Sequence, residues 1–522
     1  MKKMTTGALM CCFLTGATSL TVEAREPKIV VGIMVDQLRT DYLEQLLPYF
    51  GETGFNRLIR DGVYLPDVDF KGSVSDAASG TAVVYTGAWP TFTGVASAEV
   101  LDLNLKKNVP TLAADPSKLR IDYSPANLRL STVSDEYFIN HGNLAKIYSI
   151  AGDPQMAVVA AGHAGNSAIW FDETTGRWST PTYYGSLPPV VANQARTSPI
   201  SSRVASTSWR PLRAASHYNL NTTGGGDFSY SFPGGNREAY GKFKQSAPFN
   251  KEVTDLAIEL MKTMHPQGSS SHPGMLNISY TLAPINFDID DDSRPELIDA
   301  YVQLDADLGR LLSAIDRDFG AGNAVVFLSS TGYAKEPHIR ITEAKIPTGE
   351  ITLKKAESLL NAYLSASFGN GDYVALIRDG KLYLDSKLIS SKGLDIKRLR
   401  NEAKDFLLKM GGVSEIFTID EVLHSDNRRL HNLSLGIDPK KAPDLLLFFT
   451  PGWTVVDDNS YPSTKQEVRM ATHPTPAFII APEVKPQKIS SPVDATSLAP
   501  TVSSILRIRP PNGSSAKPLV LN

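Results

Sequence analysis

The sequence predicts an α/β protein in which a mainly parallel sheet is covered by helices, and two patterns carry that expectation. Short apolar runs rich in β-branched residues occur at Ile29 to Val35, Met156 to Ala161, Ala324 to Leu328, Leu445 to Phe449 and Ala477 to Ile480, each bounded by polar, Gly or Pro positions. Unbroken runs of this length suit strands buried on both faces. Helical periodicity fills the spaces between them. In Tyr301 to Phe319, Leu304, Leu308, Leu311, Leu312 and Ile315 recur at intervals of three and four, which puts them on one helix face, and Gly320 stops the run. Strands alternating with helices build an α/β sandwich.

Two stretches depart from that alternation. From about Thr197 to Asn250, Ser, Gly, Asn and aromatic residues predominate, with Gly224-Gly225-Gly226 and Pro233-Gly234-Gly235, so a loop-rich insertion is expected at about 197–250. A second insertion, about 339–437, holds a hairpin pattern from Tyr373 to Leu384 with Asp379-Gly380 at its turn, and a helix around Asp395 to Met410. No internal repeat is present. The chain has 522 residues, 42% hydrophobic and 20% charged, which excludes a disordered or collagen-like protein. Its 52 Lys+Arg against 55 Asp+Glu leave no cationic excess to neutralise phosphates, so nucleic acid is not an expected partner.

The N-terminus has the organisation of a secretory signal. Lys2 and Lys3 precede an apolar stretch from Gly7 to Leu20 that is too short to span a bilayer, and Val22-Glu23-Ala24 supplies small residues before Arg25. Residues 1–24 are therefore expected to be removed, leaving a domain over 25–522; an N-terminal anchor helix is the alternative reading. Cys11 and Cys12, the two cysteines, lie inside this segment, and Met10 before Cys11 disfavours lipidation. The mature chain would be cysteine-free, with a charge of (52−2)−(55−1) = −4 and no thiolate ligands. No later segment reaches the ~18 consecutive apolar residues of a membrane span.

Two places could carry chemistry. Asp36 follows directly on the strand Ile29 to Val35, at the carboxyl end where open α/β sheets bind ligands. There it could ligate a metal, cap a helix or pair with Arg39. Gly72-Ser73-Val74-Ser75-Asp76-Ala77-Ala78-Ser79-Gly80-Thr81 then leads into the apolar Ala82-Val83-Val84. Small residues at a helix start can expose a hydroxyl nucleophile where backbone N–H groups stabilise phosphate, or simply form a serine-rich cap.

These motifs carry a family resemblance. Gly32 to Arg39, Val84-Tyr85-Thr86-Gly87-Ala88-Trp89-Pro90, Thr93-Gly94, Ala161-Gly162-His163 through Trp170-Phe171-Asp172, Asp299 to Leu312, Val325 to Leu328, and Ala471-Thr472-His473 through Pro511-Asn512-Gly513 resemble, in order, the alkaline phosphatase superfamily. The likeness is greatest to its bacterial zinc-dependent monoesterases with a threonine nucleophile, with nucleotide pyrophosphatase/phosphodiesterases as further kin. The resemblance implies a three-layer α/β/α sandwich with inserted cap subdomains and a periplasmic location. It also implies two zinc ions that activate the nucleophile and clamp the phosphoryl oxygens.

Carried over position by position, the resemblance leaves most of that machinery unmatched. The nucleophile position falls on Ala77, and the His four residues later on Thr81. The Asp and His of one ligand pair fall on Pro284 and Asp288, and the Asp-His-Gly after the Val325 to Leu328 strand falls on Thr331, Gly332 and Tyr333. The substrate-contacting Lys and Arg fall near Asp153 and Gln155, and the substrate-binding Asn near Ala98. Asp36 and His473 are the retained metal-ligand positions, one for each zinc ion. One ligand per ion is below the three or four that hold zinc.

The expected function is accordingly an exported, catalytically inactive pseudophosphatase that binds an envelope protein or a small ligand, with no cofactor. The aromatics Trp209, Tyr218, Phe228, Tyr230 and Phe232 offer one binding surface unless they pack the cap. The alternative is a diverged, zinc-dependent phosphoric- or sulfuric-ester hydrolase. Its routes would be a displaced nucleophile at Ser75 or Ser79, calcium on the acidic loop Asp288 to Asp292 with Asp299 as a twelfth-position ligand, or a new metal site from His163, His338, His424 and His431. Ser293 in place of the loop glycine and the absence of an i, i+4 His pair weigh against the last two.

Overall fold

The structure, a computed structural model, describes residues 26–102, 105, 107–218, 227–264, 274–282, 293–334, 349–459, 464–468 and 473–522. Residues 1–24, Pro284, the acidic loop Asp288 to Asp292 and His338 lie outside the described residues.

A nine-stranded sheet organises the body. Its strands in chain order are β1 (Ile29–Asp36), β2 (Val63–Leu65), β3 (Lys146–Ala151), β4 (Ser167–Asp172), β5 (Arg177–Ser179), β6 (Gly274–Thr281), β7 (Ala324–Ser330), β8 (Ala477–Ile480) and β9 (Gln487–Lys488), arranged in space as β9-β2-β8-β7-β1-β6-β3-β4-β5. The central five, β7-β1-β6-β3-β4, are parallel, while β8 and β5 run against their neighbours. β1 shows why its run of apolar residues is continuous. Ile29, Val31, Ile33 and Val35 pack into a core on one face, whereas Val30 and Met34 enter a second core on the other. The first core is covered by α1 (Thr40–Leu46) and the helices α4 (Ala247–Lys262) and α5 (Arg294–Phe319). The second is covered by α2 (Ala77–Thr86), α3 (Pro154–Ala161) and α6 (Leu498–Leu506). The result is a mixed α/β fold with a large, mostly parallel sheet between helices.

Several local expectations change. Met156 to Ala161 is not a strand but the body of α3: Pro154 sits at its first position, and the Asp153 side chain caps the backbone N–H groups of Gln155 and Met156. Met156 to Ala161 are all buried and all apolar, and a short run of that kind has no periodicity to separate helix from strand. Leu445 to Phe449 is a strand, but it belongs to a separate four-stranded sheet with Val374–Arg378, Lys381–Leu384 and Val413–Thr418. That sheet and the helices Leu353–Phe368 and Ile396–Leu407 enclose their own core within residues 349–459. The hairpin turns at Asp379 and Gly380, both with positive φ. The stretch from 197 to 250 holds more helix than its composition suggests, with Ile200–Ser206 and Arg237–Lys244 leading into α4.

The aromatics of that stretch are packing groups. Trp209, Tyr218 and Phe232 are buried in the α4/α5 core, with Phe228 and Tyr230 packed against it. Trp209 Nε1 donates to Asp299 Oδ2 at 2.7 Å, the Leu212 N–H to Asp299 Oδ1 at 2.7 Å and Gln303 Nε2 to Oδ2 at 2.6 Å. Both oxygens of Asp299 therefore tie this segment to α5.

The head of α2 is fixed by a close approach. A Cβ on Gly80 would stand 1.8 Å from the carbonyl oxygen of Thr331, so only glycine lets the helix rest on the segment after β7. Gly80→Ala is expected to destabilise the protein by about 2 kcal/mol, against the ~1 kcal/mol gain of the same change at an open helical site. The midpoint of urea unfolding reads the sign directly.

Candidate functional site

The carboxyl ends of the parallel strands open into a cavity of about 860 Å³, roofed by the 349–459 unit. Its floor is made by Asp36 at the end of β1, Asp76 and Ala77 at the head of α2, Asp153 at the head of α3, and Ser279 near the end of β6. The roof contributes Leu353, Leu376, Tyr383, Phe448 and Phe449. Salt bridges from Arg129 to Asp438 (2.6 Å) and from Arg378 to Glu99 (3.0 Å) fasten roof to body. This is the edge at which open, parallel α/β sheets bind ligands.

Each carboxylate of the floor is held by donors of the protein. Asp36 Oδ1 accepts from the Thr331 hydroxyl at 2.9 Å and Oδ2 from Gln37 Nε2 at 3.4 Å. Arg39, one of the partners open to Asp36, pairs with Asp41 instead, with Nε at 3.0 Å from Oδ1. Asp76 caps α2: its Oδ1 accepts from the Ser79 N–H at 2.9 Å and its Oδ2 from the Ala98 N–H at 2.6 Å. Asp153 Oδ1 accepts from the N–H groups of Gln155 and Met156 at 2.8 and 3.0 Å. Burial pushes the Asp36 carboxyl up to about 6, against the hydrogen bonds from Thr331 and Gln37, with the charges of Asp76 and Asp153 adding to the rise. Burial also raises Asp153, opposed by the charge of Lys244.

The positions singled out by the sequence separate here. Asp36, Ala77, Ala98, Asp153 and Tyr333 line the cavity. Thr331 stands behind Asp36 as its donor, and Thr81 Oγ1 donates to the Ala77 carbonyl within α2. Gln155 reaches away, donating to the Ala98 carbonyl and accepting from the Leu112 N–H. Gly332 has φ +75°, and a Cβ there would meet the Phe70 ring at 2.2 Å, so buried Phe70 leaves no room for an imidazole. His473 does not line the cavity. Its charge acts on Asp41, where burial raises the carboxyl but Arg39, with a smaller contribution from His473, brings it below its ordinary value.

The other candidates have structural partners. Ser79 Oγ accepts from the N–H groups of Ser75 and Asp76 and completes a capping box. Ser75 lines the cavity, with its hydroxyl donating to the Ala96 carbonyl at 3.0 Å. His163 lies between Asp135 (3.0 Å) and the Leu128 carbonyl (3.0 Å), and the bond to Asp135 raises its imidazole above the usual range. His424 and His431 are exposed on the 349–459 unit. Sequence reasoning missed Ser279 and Phe70; strand alternation places Ser279 on the α2/α3 face, but nothing in the sequence marks either.

A two-zinc centre does not fit the described donors. Among the described residues no group of three or more His, Cys, Asp or Glu side chains is arranged to hold a metal ion. Asp36 is bonded to a threonine hydroxyl where a ligand carboxylate would be needed, and no side chain fits at Gly332.

Fold and site together define a hydrolase-like α/β sandwich with a cavity over the carboxyl edge of its sheet. The chain belongs to the type I phosphodiesterase/nucleotide pyrophosphatase family, whose profile matches residues 30–474, within the alkaline phosphatase superfamily. It is similar to alkaline phosphatase PafA of Elizabethkingia meningoseptica, at 26% identity over 99% of this chain and 98% of that protein. It is also similar to alkaline phosphatase PhoV of Synechococcus elongatus, at 25% identity over 94% and 92%. The crystal structure of wild-type PafA matches with a TM-score of 0.78 at 25% identity, covering 95% of this chain and 98% of that one.

The raised Asp36 carboxyl has a signed consequence for stability. Its contribution is full below the unfolded value of 3.8 and is lost as pH rises through about 6, where the buried group must ionise. In metal-free buffer, Asp36→Asn is expected to unfold at higher urea than the parent at about pH 8, by about 1–3 kcal/mol, with the gap closing toward about pH 4. A variant less stable than the parent at the higher pH would mean that the ionised carboxylate is compensated by a cation.

Proposed function

We propose that this family member is a catalytically silent, exported phosphatase-like protein that uses its cavity to bind a small ligand or an envelope partner. The observation that carries the reading is Ala77: the position that the resemblance assigns to the nucleophile faces the cavity as a methyl group. A methyl group cannot accept a phosphoryl group. The surroundings point the same way. Asp76 and Asp153 line the same cavity, and the resemblance puts the phosphate-binding lysine near Asp153, so the floor repels an anionic ester. Zinc, the cofactor that the resemblance implies, would have to displace the Thr331 bond to Asp36 and gain ligands from positions that now carry Thr331 and Gly332.

The second reading, a diverged phosphoric- or sulfuric-ester hydrolase, draws on one observation: Ser75 lines the cavity. Its hydroxyl is committed to the Ala96 carbonyl and lies 3.3 Å from Asp76 Oδ2. Hydrolysis of aryl phosphate, phosphodiester and aryl sulfate with added zinc, alongside elemental analysis of zinc per chain, separates the two. The expected outcome is no zinc-dependent turnover, in the parent or in Ala77→Thr. About two zinc equivalents with turnover abolished by Asp36→Ala would establish the hydrolase.

Export through cleavage of residues 1–24 belongs to the same proposal. No helix among the described residues is long and apolar enough to cross a membrane. N-terminal sequencing of the protein recovered from cells is expected to begin at Arg25; a chain that retains Met1 would contradict export by this route.

A further inference from the structure

We propose that His163 is a pH-dependent latch: its imidazolium ties the backbone at Leu128 to the helix Val133–His141, and losing a proton loosens Arg129, which fastens the 349–459 unit over the cavity. The latch concerns the attachment of the roof, so it goes beyond the silent reading of the floor and does not depend on it. Its support is geometric. His163 Nδ1 lies 3.0 Å from Asp135 Oδ2, and Nε2 lies 3.0 Å from the Leu128 carbonyl oxygen. A carbonyl only accepts, so Nε2 carries a hydrogen. Asp135 accepts as well: its Oδ2 takes the N–H and the hydroxyl of Thr132 at 2.9 and 3.1 Å, and its Oδ1 takes the Ala164 N–H at 2.9 Å. A carboxyl that serves three other donors is ionised, so Nδ1 carries a hydrogen too. The ring is therefore an imidazolium, with no lone pair left for a metal ion.

The residue after Leu128 makes the clasp. Arg129 Nη2 and Nη1 donate to Asp438 Oδ2 and Oδ1 at 2.6 and 3.2 Å, and the Asp438 side chain is 3% exposed. Asp438 Oδ1 also accepts from the Lys440 N–H at 3.1 Å, so the pair orders a turn of the 349–459 unit. A neutral imidazole has one N–H. It keeps the charge-assisted bond to Asp135, which leaves the Nε2 lone pair facing the Leu128 oxygen. Two acceptors at that separation repel. The Leu128 side chain stays in the core that α2, α3 and α6 cover, so the motion released is that of the main chain at 128 and 129, where the clasp is rooted.

The ring is 37% exposed and exchanges its proton with solvent directly. Asp135 is the charged group that faces it from the helix Val133–His141, and the segment Pro125 to Leu128 presents the carbonyls of its two end residues. From the turn Thr182–Tyr184, the hydroxyls of Tyr183 and Tyr184 donate to the carbonyls of His163 and Gly162 at 3.0 and 2.5 Å. The bond to Asp135 raises the imidazole above its usual range, against burial. The latch is thus fully closed below the ordinary value of 6.5 and opens as pH rises through the higher value of the folded protein.

The test is hydrogen exchange of the purified protein, followed by mass spectrometry at about pH 6 and about pH 9 and corrected for the intrinsic rate. Residues 125–130 and 436–442 are expected to exchange about fivefold or more faster at the higher pH, as for the loss of one hydrogen bond. His163→Gln, whose side chain does not titrate, should remove that pH dependence from both segments. Arg129→Gln should keep it at 125–130 and remove it at 436–442, and this variant leaves the bonds of the imidazole intact. The His163 ring signal, assigned by its loss in His163→Gln, should titrate above 6.5 by NMR. A ring midpoint at or below that value, exchange at 125–130 indifferent to pH, an undiminished response in His163→Gln, or a response at 436–442 that survives Arg129→Gln would overturn the proposal. Zinc-dependent turnover would refute the silent phosphatase and leave each of these outcomes unchanged.

Discussion

The contact between the head of α2 and the segment after β7 governs the site. Gly80 lets the helix settle on the Thr331 carbonyl, and from that seat the Thr331 hydroxyl reaches Asp36. Once these groups are locked, the positions of Asp76 and Ala77 follow from the helix start, and Gly332 is held in a left-handed conformation against Phe70. A neutral hydroxyl thus supports a buried carboxylate. It leaves the negative charge of Asp36, Asp76 and Asp153 uncompensated by any ion pair among the described residues. In a two-metal hydrolase, cations would supply that compensation.

The same arrangement separates stability from binding. The sheet is buried by two cores, one on each face, and the 349–459 unit has a third of its own. The cavity lies where these bodies meet and is tied by the Arg129–Asp438 and Arg378–Glu99 pairs. A polar floor on the rigid ends of parallel strands and an apolar roof on a separate unit form a site whose specificity can change without refolding the body.

How far the sequence reached depended on what each residue reports. The buried strands and the long helix α5 were legible because apolar periodicity records burial. The helix α3 was read as a strand, since six consecutive apolar residues carry no period, although Pro154 and the capping Asp153 were the available signals. Asp36 and Ala77 were placed on the cavity by the resemblance and by the strand-to-loop position. The aromatics of residues 209–232 could not be assigned to core or surface until their contacts with α4 and α5 were known. Ser279 and Phe70 were invisible in the sequence because their roles come from groups distant along the chain: one is an orphaned hydroxyl, the other fills the space above Gly332.

Whether the floor of this cavity holds metal is the hinge of the account, and anomalous scattering from crystals soaked in zinc addresses it at atomic position. The account predicts no pair of zinc peaks beside Asp36 and an unbroken hydrogen bond from Thr331. Two peaks about 4 Å apart, one ligated by Asp36 and the other by His473, would contradict it.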